Sequence, residues 1–199
     1  ADEQQELKNE EWLIIALNIL ISKEQDYYDR LFDQGFLSSR AYRKLSINID
    51  RLSDSIKTQQ AHDYLREASA HCTFDVSYSL AMKIHKYLKN SEFLSSLLSI
   101  RFEVLMISRN SMDYLIKEAL PGLTDIIDIA HQREVETMLN QRYDEVNKSF
   151  MALKLQYPEY ARLLEKAYLE KGAVRLEEND YDHMLSHSVI NQDIYKDLQ

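Results

Sequence analysis

Three glycines and two prolines in 199 residues leave little material for tight turns. Turn-rich architectures such as β-barrels, and phosphate-cradling glycine loops, require far more. The single cysteine, Cys72, excludes an internal disulfide and a four-cysteine zinc site, and points to a reducing compartment. Long apolar runs are also missing. The most apolar stretch, Trp12 to Ile21, has 10 residues and contains Asn18, whereas a bilayer span takes ~20. The N-terminal ADEQQELKNEE is acidic where a secretory or transit peptide would be basic and followed by an apolar core. Positive charge is short as well: 24 Lys and Arg against 33 Asp and Glu give 24 − 33 = −9. The basic residues are scattered, and an acidic chain repels phosphate backbones, so nucleic acid is not an expected partner.

Apolar residues recur at helical spacing nearly throughout, with few alternating runs, so the expected class is all-α. The length fits a single helical domain over residues 1–199, with a sub-boundary near Pro121-Gly122. A first helix is expected from Glu6 to Gln34, carrying Leu13, Leu17, Leu20, Tyr27 and Leu31 and stopped by Gly35. Ser38 or Ser39 then caps a second helix striped by Leu45, Ile49, Leu52 and Ile56. A bend is expected over Thr58 to Arg66, followed by helices through Val76 to Leu88 and from Phe93 to Leu120. From a Thr124 cap, the stripe Ile127, Ala130, Met138, Arg142, Val146, Phe150, Leu153 reaches Pro158 without a breaker. Its roughly 33 residues would span about 50 Å as one helix. After Pro158, short helices are expected at Glu159 to Glu170, Glu177 to His187 and Asn191 to Leu198, with turns at Gly172 and Ser188.

A degenerate internal repeat underlies these turns. LFDQGFLSSRAYRKL at Leu31 to Leu45 aligns without gaps to MLSHSVINQDIYKDL at Met184 to Leu198. Each carries a small residue (Gly35 or Ser188), an apolar pair, a cap candidate (Ser38 or Asn191), then Tyr and Leu. Gly is favoured where a helix ends in a left-handed residue and the next apolar side chain folds back over the last turn. A looser copy surrounds Gly172. Similarity among ordinary helical hairpins explains the repeat equally well.

The stretches YYDRLFDQGFLSSRAYRKL (Tyr27 to Leu45) and YPEYARLLEKAYLEKGAVRLEENDYDHMLSHSVINQDIYKDL (Tyr157 to Leu198) resemble the cytoplasmic C-terminal region of monovalent cation/proton antiporters of the sodium/proton exchanger superfamily. In that region, helices joined by short turns of this kind follow the last membrane span. The resemblance covers less than a third of the chain and does not include the membrane half, whose acidic residues bind and exchange cations. It implies a non-catalytic regulatory or assembly domain at the cytoplasmic face of the membrane. Its implied partner is the membrane domain of the same antiporter, and no small-molecule substrate is expected. The alternative is a stand-alone helical adaptor for another protein.

Other candidates are less specific. His183 and His187 lie four apart and would share a helix face, as paired metal ligands do, but no third ligand has a required spacing. A surface pair at a helix end is the simpler reading, so neither a metal nor a cofactor is expected. Glu177 to Asp182 lacks the glycine and terminal glutamate of a calcium loop. His62-Asp63 lacks the additional histidines of a phosphohydrolase centre, and Cys72 lacks an oxyanion turn. No constellation marks an enzyme. His131 interrupts the apolar stripe of the long helix near Asp128 and Glu134, which makes it the candidate pH sensor, since imidazoles titrate near ~6.5. The apolar stripes at Phe93 to Leu120 and Thr124 to Tyr157 exceed what a small bundle covers, so a homodimer is expected.

Overall fold

The computed structural model describes residues 2–58, 62–70, 91–186 and 196, with side chains for 11–56, 64–68, 94–177, 180 and 196. Six α-helices and no strands occur among them: α1 (Asp2–Asp33), α2 (Ser39–Thr58), α3 (His62–Ala70), α4 (Ser91–Tyr114), α5 (Ile129–Gln156) and α6 (Pro158–Ser186). The protein is an all-α helical bundle. α1 and α2 form one hairpin, α4 and α5 a second, and α3 packs on both α2 and α5. A single apolar core contains Leu17 and Leu20 of α1, Leu45 and Leu52 of α2, Leu105 of α4 and Leu139 of α5. It therefore draws side chains from both sides of Pro121-Gly122.

The first corner follows from Gly35. Its φ of +72° lies in the left-handed region, where a side chain is strained and glycine is not. The Gly35 amide donates to Phe32 O at 2.9 Å and the Phe36 amide to Leu31 O at 2.8 Å. This paired arrangement satisfies carbonyls that the end of α1 would otherwise leave open. Leu37 then turns into the core. Ser38 caps α2, its Oγ accepting from the Ala41 amide at 3.3 Å. Glu103 of α4 fixes the cap from across the bundle, accepting from Ser38 N at 2.7 Å and Ser38 Oγ at 2.5 Å.

Several boundaries differ from expectation. Helix α3 starts at His62, so most of the expected bend is helical. The expected helix over Val76 to Leu88 and the segment Asn191 to Leu198 with Ser188 fall on positions outside the described residues, Lys196 excepted. α4 widens into a π turn over Leu115–Ala119, closed by Leu120 N donating to Leu115 O at 2.8 Å, before a 3-10 turn at Pro121–Leu123. Thr124 does not cap the long helix. Its hydroxyl donates to Pro121 O at 2.8 Å, and the cap of α5 is Asp128, four residues later, whose carboxylate accepts from the His131 amide at 2.9 Å.

The largest correction lies past Pro158. α6 runs unbroken for 29 residues, so the two short helices expected on either side of Gly172 are one, and Gly172 is not a turn. A lone glycine costs a helix interior only about 1 kcal/mol. Leu169-Glu170-Lys171 before it and Ala173-Val174-Arg175 after it offer neither a proline nor a capping side chain to turn that cost into a stop. Pro158 itself is well placed, since a first helical position has no use for an amide. Only Tyr157, at φ −134° and ψ +61°, separates α5 from α6.

Candidate functional site

The most concentrated polar chemistry among the described residues lies inside the bundle. Glu24 sits on the apolar stripe of α1, four residues after Leu20 and four before Tyr28, and is fully buried. Arg142 holds the equivalent place on α5 between Met138 and Val146 and is 2 % exposed. Helical periodicity therefore drives both charges into the core, where neither could stay alone. They meet as a two-pronged pair, Arg142 Nη1 donating to Glu24 Oε2 at 2.6 Å and Nη2 to Oε1 at 2.7 Å.

Three hydroxyls complete the cluster. Nη1 also donates to Tyr64 Oη of α3 at 2.9 Å, and the guanidinium carbon stands 5.8 Å from the Tyr64 ring centre. Tyr28 Oη donates to Glu24 Oε1 and lies 3.0 Å from Ser111 Oγ of α4. Ser111 Oγ is 2.8 Å from Ser108 O and 3.3 Å from Glu24 Oε1. Its one proton goes to the nearer oxygen. Among the described residues, Arg142 Nε has no hydrogen-bond partner. Burial, then the Glu24 carboxylate, pushes the Tyr28 phenol well above its ordinary value. Burial likewise raises Tyr64. For Arg142, burial opposes the charged form, but Glu24 and the two phenols outweigh it and hold the guanidinium protonated.

The arrangement ties α1, α3, α4 and α5 together, but it is closed to solvent and presents no face to a substrate. Chemically it is a brace. Its components were partly visible in sequence: Arg142 is a cation in an apolar stripe, and Glu24 is an anion in register with Leu17 and Leu20. The missing signal was their pairing across 118 positions.

His131 is mostly buried at the first turn of α5. Its Nδ1 stands 2.8 Å from Asp128 Oδ1, the oxygen that also accepts from its own amide. That backbone bond, before the contact with the ring, lowers the Asp128 carboxyl below its usual range. The side chains of His183 and His187 lie outside the described residues, and α6 includes the backbone of His183 alone. Among the described residues, no group of three or more His, Cys, Asp or Glu side chains is placed to hold a metal ion. None of the described helices is long and apolar enough to cross a membrane.

The surface is more informative around α6. Its first turns dock on the bundle: Tyr160 Oη donates to Ser95 O at 2.6 Å, Lys154 Nζ pairs with Glu165 at 2.5 Å, and Ala161 is buried. The seam beneath, between Leu98, Phe102, Leu153 and Leu164, is too tight for a water-sized molecule. Beyond it the helix crosses the first corner, with Gly172 near Phe36 and Arg175 against Gly35. Yet Leu163, Leu169, Val174 and Leu176 remain 54–71 % exposed. Leu169 and Leu176 share one flank, and Leu163 and Val174 the other.

Tyr168, on the docked side of α6, has its phenol pushed up to about 12 by burial and then by Tyr27 and Glu103. Tyr28, Tyr64 and Tyr168 thus all hold their protons more tightly when folded. Above pH ~10 the unfolded chain loses those protons first, so its relative free energy falls. Stability is expected to be fully present below pH ~10 and to decline as pH rises from there toward 12. Urea midpoints followed by circular dichroism should show this, with Tyr168→Phe flattening the upper part. A midpoint constant across that range would contradict the assignment.

Comparison with protein-family models, with curated proteins and with solved structures finds no match to the chain.

Proposed function

We propose that the chain is a non-catalytic, protein-docking helical domain that regulates or assembles a sodium/proton antiporter from the cytoplasmic face of the membrane. The observation that carries the docking role is α6, which lies along the bundle with four large apolar side chains, Leu163, Leu169, Val174 and Leu176, left uncovered. Surfaces of this kind are characteristic of interfaces. The antiporter assignment comes from the sequence resemblance, and the corner at Gly35 has the helix, glycine, apolar pair, cap and helix order of that resemblance.

The mechanism is mechanical coupling. A regulatory domain shifts a transporter only by the difference in its interaction with the active and inactive states, commonly ~1 to 3 kcal/mol. The brace keeps the bundle rigid, so displacement of α6 by the membrane domain, or by a second copy in a homodimer, is passed on rather than absorbed. His131 with Asp128 is the candidate proton-responsive element in this scheme.

Deleting residues 1–199 from the parent antiporter is expected to leave cation/proton exchange in vesicles measurable while moving its pH or ion dependence. Leu169→Glu with Leu176→Glu should reproduce the shift with the fold intact, and His131→Gln should alter the pH profile alone. Identical pH and ion profiles for intact and truncated transporter would overturn the regulatory reading. The stand-alone adaptor is the second reading, favoured by the uninterrupted helix at Gly172 where the resemblance implied another corner.

A further inference from the structure

A second surface, on α1 and the end of α4, has a defined chemistry. Along α1 and the end of α4 runs a groove made of two open cavities of about 450 and 260 Å³, which share Arg30 and Tyr114. Tyr27 and Tyr114 stack on each other with centroids 5.1 Å apart and planes at 19°. The Arg30 guanidinium carbon stands 5.5 Å from the Tyr114 centroid and 6.0 Å from that of Tyr27. The rings thus already hold a cation in the geometry that a ring quadrupole attracts.

The rim is acidic. Asp26 and Asp33 line the larger cavity and Glu118 the smaller, and none of the three makes an ion pair among the described residues. Asp113 is nearby but occupied by Lys117 at 2.9 Å, and Asp29 accepts from Tyr42 Oη at 2.8 Å and Gln25 Nε2 at 2.5 Å. Asp113 and Glu118 both act on the Tyr27 phenol, which places their charge at the rings. Lys23 and Arg30 are the cations of the groove itself.

From this geometry we infer that the groove docks a basic segment of a partner polypeptide, with an arginine of the partner stacking on the Tyr27–Tyr114 pair. Arg30 is the intramolecular occupant that it displaces. Unpaired carboxylates on the rim supply complementary charge, and the paired rings favour the flat, weakly hydrated guanidinium over the compact ammonium of lysine. An anionic partner would meet the same carboxylates as repulsion. The inference does not depend on the antiporter reading: vesicle exchange tests that reading, and peptide binding tests this one.

The probe is a fluorescent hexa-arginine peptide, with hexalysine and hexaglutamate as comparators, titrated against the full chain at low salt. Hexa-arginine should bind more tightly than hexalysine, and hexaglutamate not at all. Asp33→Lys with Glu118→Lys should weaken hexa-arginine about tenfold or more. Arg30→Ala should tighten it about threefold by vacating the rings. Arg133→Ala removes the same charge from an exposed site on α5 and should change affinity by less. In a Tyr114→Leu background the gain from Arg30→Ala should fall to that of Arg133→Ala. Equal effects of Arg30→Ala and Arg133→Ala in the parent, equal binding of the two basic peptides, or indifference to the charge reversals would each overturn the inference.

Discussion

Arg142→Met is expected to destabilise the protein by about 3 to 5 kcal/mol, the usual cost of removing one partner of a buried ion pair. The variant leaves the Glu24 carboxylate in the core facing only the Tyr28 and Ser111 hydroxyls, while Tyr64 loses the donor at 2.9 Å. Glu24→Gln should fall in the same range because it strands the guanidinium. Removing the whole polar set is different. Glu24→Met, Arg142→Leu and Tyr64→Phe together eliminate both charges and the phenol that depends on them, while Tyr28 keeps Ser111 at 3.0 Å. Apolar replacements of similar volume are often neutral or stabilising, so the triple variant should recover most of the loss. Urea unfolding of the single and combined variants measures both. A cost below about 1 kcal/mol for Arg142→Met would show that the pair is relaxed or hydrated and does not brace the core.

The combined variant also separates stability from specificity. Sliding α1 against α5 by one turn would strand both Glu24 and Arg142, so the pair penalises every register but one. An apolar substitute carries no such penalty. The triple variant is therefore expected to unfold near the parent midpoint but to loosen the seating of α6, whose docked turns lean on α4 and α5, and with it the regulation proposed above.

The periodicity that buries Leu17, Leu45 and Leu139 made the helices and much of the core legible, because a stripe at 3.6 residues per turn states which face turns inward. The corner at Gly35 was equally legible: apolar stripe, glycine, apolar pair and serine is a local message with local consequences. Thr124 was misread because Asp128, four residues on, is the better acceptor for the first turn of α5. The brace was only half legible. Arg142 belongs to the stripe of α5, but nothing local in the sequence says that its partner is Glu24, since the two are joined only by tertiary packing. The paired rings of Tyr27 and Tyr114 escaped sequence reading for the same reason.

Gly35→Ala and Gly172→Ala should have opposite signs, although both glycines looked like turns in sequence. Gly35 occupies φ +72°, which costs an L side chain about 1 to 2 kcal/mol. Its added Cβ would also come within 2.9 Å of Arg175 Nε. The end of an arginine can move aside, so the backbone strain sets the cost, and a loss of about 1 to 2 kcal/mol is expected. Gly172 has helical geometry within α6, and a Cβ there would meet only Phe36 Cε1 at 3.6 Å, an ordinary contact. Alanine removes glycine's excess freedom in the unfolded chain and has the better helix propensity, so a gain of about 0.5 to 1 kcal/mol is expected. Urea midpoints of the two variants decide between a turn and a helix at each position. If Gly172→Ala lost as much as Gly35→Ala, α6 would break at Lys171-Gly172, its apolar flanks would separate into two short segments, and the continuous docking arm would have to be abandoned.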